Sequence, residues 1–164
     1  MNSNPLVLDT HELPRRAGSS RNVDEKVPAP EGMSIAMIGV PADAEMQLQV
    51  LLEAVGEGIL ATGNVTTPIA GECSRCLQPF EHTDTFDFVQ LFYYPGRDSE
   101  EDALFVADDR IDLTEVVRDA IVLDLPFTPL CGQNCAGLCS QCGVNLNDEP
   151  DHTHAEATDA RWDK

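Results

Sequence analysis

Six cysteines fall into two clusters along the chain, and this is the feature that most limits how it can fold. Cys73 and Cys76 stand at C-x-x-C spacing, as do Cys139 and Cys142, with Cys131 and Cys135 just upstream of the second pair. Three uses of such thiols compete. A disulfide framework spreads its cysteines and needs an oxidising compartment. A redox C-x-x-C is expected to open a helix in a βαβ context. A structural zinc site wants paired thiolates at a sharp turn, and a glycine after the second cysteine, as at Gly143, supplies the backbone freedom for that turn. Clustered pairs in a chain without a secretory signal favour zinc.

Zinc takes four ligands in a closed tetrahedral site, and six cysteines are on offer. One choice joins Cys73/Cys76 to Cys139/Cys142 and leaves Cys131 and Cys135 to stabilise or exchange. A second joins Cys73/Cys76 to Cys131/Cys135, and a third uses only the four C-terminal cysteines. Either of the first two closes a loop of more than fifty residues. His152 and His154 can also donate, but they lie in an acidic tail and read as solvated.

The strand and helix signals place these pairs. Residues 5–8 form a short strand by composition. Met46, Leu48, Val50 and Leu52 alternate with their neighbours, a period of two that suits a half-buried strand. After a turn at Gly56–Gly58, a second run (Ile59, Ala61, Val65 and Ile69 on one face) leads directly into Cys73. A third run, residues 80–94, stops at Pro95-Gly96. Short connections between the three predict an antiparallel meander. Asp112 with Glu115 has the form of a capping box, and Val116, Val117, Ala120 and Ile121 follow at helical spacing up to Pro126. The expected fold class is α+β: a mainly antiparallel sheet, one principal C-terminal helix and a cysteine-rich zinc-knuckle region. The expected organisation is a single domain over 1–147, loosely ordered at 11–32 and with an acidic loop at 97–110. An acidic, disordered tail is expected over 148–164.

Charge limits the partners. The 164 residues carry 29 acids against 10 lysines and arginines, a formal net charge of −19. Such a surface repels polyanions at long range and suits a basic partner. The basic cluster of Arg15, Arg16, Arg21 and Lys26 reads either as a solvated loop or as a local contact for phosphate. Arg75, inside the first knuckle, joins it in the second reading. No apolar stretch is long enough to span a membrane, and the N-terminus has no basic region followed by an apolar block. The expected location is therefore the cytoplasm. No nucleophile elbow, phosphate loop or H-E-x-x-H motif stands out, so neither catalysis nor a small-molecule substrate is expected.

Four strings carry a resemblance: C-S-R-C-L-Q-P-F (73–80), I-D-L-T-E (111–115), L-D-L-P-F-T-P-L-C (123–131) and G-L-C-S-Q-C-G-V-N-L-N (137–147). Together they resemble the YceD family, the large ribosomal RNA subunit accumulation proteins. The resemblance implies a bacterial or plastid-type factor that supports large-subunit (23S) ribosomal RNA accumulation, with a ribosomal protein or the RNA itself as partner. It brings no catalytic residues. It marks Cys73, Arg75, Cys76, Cys139, Cys142 and Gly143 as motif positions, with Cys131 and Cys135 as additional ligands. Two other readings stand beside it: a thiol-disulfide or redox-sensing protein that uses its C-x-x-C pairs, and a zinc-stabilised interaction module with no ribosomal link.

Overall fold

The computed structural model describes residues 4–96 and 102–155. The alternating segments become the centre of one sheet. Strand β5 (Glu45–Val55) turns at Gly56 into β6 (Gly58–Glu72), which returns as β7 (Pro79–Tyr93). All three are antiparallel neighbours in the expected meander. Met46, Leu48, Val50, Leu52 and Ala54 of β5 are buried, as are Ile59, Ala61, Val65 and Ile69 of β6. The register stacks them: Leu48 lies opposite Val65, and Val65 opposite Phe86. Gly63 sits where β5 comes closest, and a Cβ there would collide with the Gln49 carbonyl oxygen.

The sheet continues outward through β2 (Ser20–Pro28), paired antiparallel to β5. This strand lies inside the stretch expected to be loosely ordered. Val23 and Val27 alone point to the core, and the charged residues between them hide a strand signal, as is common at a sheet edge. Short strands β3 (Ser34–Ile35) and β4 (Ile38–Gly39) extend the same side, with β4 on the far end of β6. Beyond β7 lies β8 (Leu104–Phe105), the one parallel neighbour among the described residues, which meets β7 at Phe92 and Tyr93.

A two-stranded ribbon of β1 (Val7–Asp9) and β9 (Arg110–Asp112) adds Leu6, Leu8 and Ile111 to the same apolar cluster. The acidic segment before β9 is partly a turn. Asp108 and Asp109 both have positive φ, and Ala107 and Arg110 exchange backbone hydrogen bonds across them. That is the mirror-image hairpin turn that aspartate tolerates. Residues 97–101 of the expected acidic loop and 156–164 of the expected tail lie outside the described residues.

Helix α1 (Thr114–Val122) is shorter than the sequence signal. Asp112 does not cap it as a box. Leu113 holds the cap position, and Asp112 Oδ1 accepts the Thr114 N–H at 2.9 Å. Val116, Val117 and Ile121 are buried, and α1 packs against β7. The described residues are thus mostly antiparallel sheet with one short helix. No helix among the described residues is long and apolar enough to cross a membrane.

Candidate metal centres

The end of β6 and the start of β7 are held apart by a tight loop that carries Cys73 and Cys76. Two hydrogen bonds define it. The Leu77 N–H donates to the Cys73 carbonyl at 2.9 Å, and the Cys73 N–H donates to the Gln78 carbonyl at 2.9 Å. The segment after α1 returns to this loop, where Ser74 N–H donates to the Pro129 carbonyl at 2.8 Å. That return delivers Cys131 and Cys135. The sulfur of Cys73 lies 3.7 Å from that of Cys135, and the sulfur of Cys76 lies 3.7 Å from that of Cys131. All four sulfurs lie within 4.8 Å of one another, and Cys73, Cys76 and Cys135 are buried.

These spacings can be compared with what each use of the thiols requires. A disulfide needs sulfurs about 2.05 Å apart. Four thiolates placed tetrahedrally at about 2.3 Å from zinc are separated by about 3.8 Å. The cluster has the second spacing, so the donor set and its geometry fit a four-thiolate metal site. Protonation is divided among the four thiols, with Cys73 and Cys135 lowered and Cys76 and Cys131 raised. Burial works to raise the Cys73 thiol, but the backbone N–H groups of Cys76, Cys131 and Arg75 outweigh it and lower it to about 6. Cys131, beside the sulfurs of Cys135 and Cys76, is pushed up to about 12. Asn147 Nδ2 donates to the Cys135 sulfur at 3.3 Å and lowers that thiol. Four thiolates this close repel one another, and a divalent cation is what allows all of them to ionise together.

Cys139 and Cys142 do not join Cys73 and Cys76. Among the three ligand sets open from sequence, the structure assembles Cys73/Cys76 with Cys131/Cys135. Cys139 and Cys142 instead face His152 and His154, the two histidines expected to be solvated, in a second group of four ligand atoms also within 4.8 Å of one another. The spacing that would have found these histidines is H-x-H ten residues past a C-x-x-C, obscured by the acidic residues around it. Asn147 was also missed. It lies at the end of the G-V-N-L-N string, where its Oδ1 accepts the Ala136 N–H at 2.8 Å while its Nδ2 reaches Cys135.

The family assigned by comparison is large ribosomal RNA subunit accumulation protein YceD, which matches residues 61–164 and so spans both cysteine groups. The chain belongs to the YceD family. Relatives similar to it include an uncharacterized protein of Mycobacterium tuberculosis, 39% identical over 99% of this chain and 80% of its own. One from Mycobacterium leprae is 36% identical over 98% of this chain and 76% of its own. The Arabidopsis thaliana chloroplastic protein named large ribosomal RNA subunit accumulation protein YCED homolog 1 is 28% identical over 52% of this chain and 36% of its own. No solved structure matches. In this YceD-family chain the basic residues singled out from sequence do not form one patch. Arg15 pairs with Asp109 at 3.2 Å and lies 5.0 Å from the centre of the Tyr94 ring. Arg21 reaches Glu12 at 3.6 Å and the Asp9 carbonyl at 3.2 Å. Arg16 is exposed. Arg75 donates to the Cys135 carbonyl at 3.1 Å, beside the four-thiol cluster. Arg21 stands level with Ala61 across β5, whereas Arg75 follows the end of β6 at Glu72. Eleven residues of strand, about 35 Å, separate those levels.

Proposed function

We propose that this chain is a non-enzymatic factor that supports large-subunit ribosomal RNA accumulation by binding a basic ribosomal protein, with zinc in the Cys73/Cys76/Cys131/Cys135 cluster as a structural clip. Family membership supports the ribosomal role. Four thiolates fill a tetrahedral shell and leave no position for a substrate water, which supports a structural rather than a catalytic metal. Cytoplasmic action fits the same reading.

The observation that carries the choice of partner is a groove of about 950 Å³ between β7 and α1. Asp87, Asp102, Glu115, Asp119 and Asp124 line it, and no basic residue is among its described lining. Val89 is 66% exposed and Leu123 83% exposed at its walls. Beyond the contact with β8, no strand among the described residues pairs with the outer edge of β7. An open strand edge accepts an extended segment by main-chain hydrogen bonding, and the acids and apolar walls select one rich in lysine, arginine and aliphatic residues. Direct RNA binding through the arginines is less supported, because Arg15, Arg21 and Arg75 already have partners within the chain.

The test is capture from cell lysate with and without nuclease, repeated with a variant carrying Asp87→Asn, Glu115→Gln, Asp119→Asn and Asp124→Asn. Large-subunit proteins should survive nuclease with the parent chain. At about 0.5 kcal/mol per rim charge, the variant should hold them at least tenfold more weakly. Capture that vanishes with nuclease, or that the four substitutions leave untouched, would overturn the protein-partner reading.

A further inference from the structure

The second cluster has the same backbone construction as the first. The Gly143 N–H donates to the Cys139 carbonyl at 2.9 Å, as Leu77 does to Cys73, and the Cys139 N–H donates to the Val144 carbonyl at 2.8 Å, as Cys73 does to Gln78. Residues 77 and 143, each directly after the second cysteine, share positive φ at 60° and 76°. Two C-S-x-C loops that differ at every other position from 75 to 78 and from 141 to 144, cysteines aside, have thus adopted one knuckle geometry. In the first, that geometry aims two thiols at a shared point with two more thiols opposite. In the second, two imidazoles stand opposite.

The histidines are held for this. His152 Nε2 lies 3.3 Å from the Cys142 sulfur and 2.9 Å from His154 Nε2. Ligands at about 2.3 Å (sulfur) and about 2.05 Å (nitrogen) from a tetrahedral ion are about 3.5 Å and about 3.3 Å apart, close to these values. On its other side His152 Nδ1 faces the Glu149 carboxylate at 3.5 Å. Glu149 thus stands beside the ring nitrogen that faces away from the cluster, the place an orienting partner takes for histidine ligands in metal sites. The His152 N–H in turn donates to the Glu149 carbonyl at 3.1 Å, which fixes the turn that presents the ring.

We propose that Cys139, Cys142, His152 and His154 form a second zinc site, separate from the four-cysteine cluster. Two thiolates and two imidazoles in a closed tetrahedral set suit zinc among the divalent metals. The two sites differ in exposure. Three of the four sulfurs in the first are buried, whereas Cys142 and His154 are exposed, so a chelator should empty the second site first. Occupied, it fastens the acidic residues Asp148, Glu149 and Asp151 to the knuckle. The inference stands independently of the ribosomal reading.

Zinc uptake by the full-length chain, freed of metal and kept reduced, tests it. The parent chain is titrated with Zn2+ beside His152→Ala/His154→Ala, which alters only peripheral side chains, and beside Cys142→Ser. Circular dichroism checks that each variant keeps the sheet. The expected result is two equivalents bound by the parent and one by each variant. Co2+ in the histidine variant should then show the spectrum of an all-sulfur site alone. Zinc uptake that the histidine substitutions leave unchanged, whatever its total, would overturn the second site.

Discussion

Leu77 holds a conformation that most side chains avoid. With φ at 60°, it occupies the position that Gly143 fills in the other knuckle. A left-handed backbone costs a residue with a Cβ about 1–2 kcal/mol, and the Leu77 side chain is half exposed, so little packing offsets that cost. Leu77→Gly should therefore be neutral or stabilising by up to about 1 kcal/mol, while the β-branched Leu77→Val should lose about 1 kcal/mol or more. Denaturant unfolding of the zinc-loaded proteins checks the order, and a reversed order would refute the strain argument. Asn147 offers a second test at this scale. Asn147→Leu removes the donor to the Cys135 sulfur and to its own turn, and should weaken zinc binding about 10- to 100-fold, as loss of an orienting partner does. Competition with a chromophoric chelator measures it.

At the scale of elements, β5 and β6 depend on one close approach. Gly63→Ala places a methyl group against the Gln49 carbonyl oxygen, and the strands must separate or bend. The expected cost is about 2 kcal/mol, in the range for overpacking, read from the unfolding midpoint at unchanged m-value. How much was legible in the sequence follows from what set each element. The three long strands were readable because one face of each is buried, which imposes the alternation of Met46, Leu48 and Val50. Strand β2 was not, because only Val23 and Val27 face the core. The two cysteine pairs were visible as knuckles, and Cys131/Cys135 stood among the partner sets open for the first, but the choice between those sets was not legible, nor were the histidines opposite the second. Spacing reports the local turn, and only the return of the chain after α1 decides that Cys131 and Cys135 meet the first pair while His152 and His154 meet the second.

For the whole molecule, the four-thiol cluster fastens the end of β6 to the segment after the helix. With zinc in that cluster as proposed, stripping it would leave four crowded thiols in a largely buried site, so stability should fall by several kcal/mol and the melting temperature by about 10 °C or more. Cys73→Ser should produce most of that loss without chelation. A chain whose melting temperature is indifferent to chelator would show that the clip contributes nothing to the fold. The net charge of −19 acts at the same scale. On the partner reading proposed above it should favour a basic chain over a polyanion, and salt dependence checks this: capture of such a partner should weaken between low and physiological salt.

Cys76 and Cys131, which face each other in the four-thiol cluster, are 55 residues apart in sequence. During synthesis at about 5–20 residues per second, the first knuckle therefore waits about 3–11 s for its other half. Through that interval Cys73 and Cys76 form a bare dithiol on an unfinished sheet, open to oxidation or to a metal held by two sulfurs and water. The four-thiol cluster can close only once β7 and α1 have been made and the chain has returned, so with zinc there as proposed, metal capture would be a late event that reports completion of the sheet.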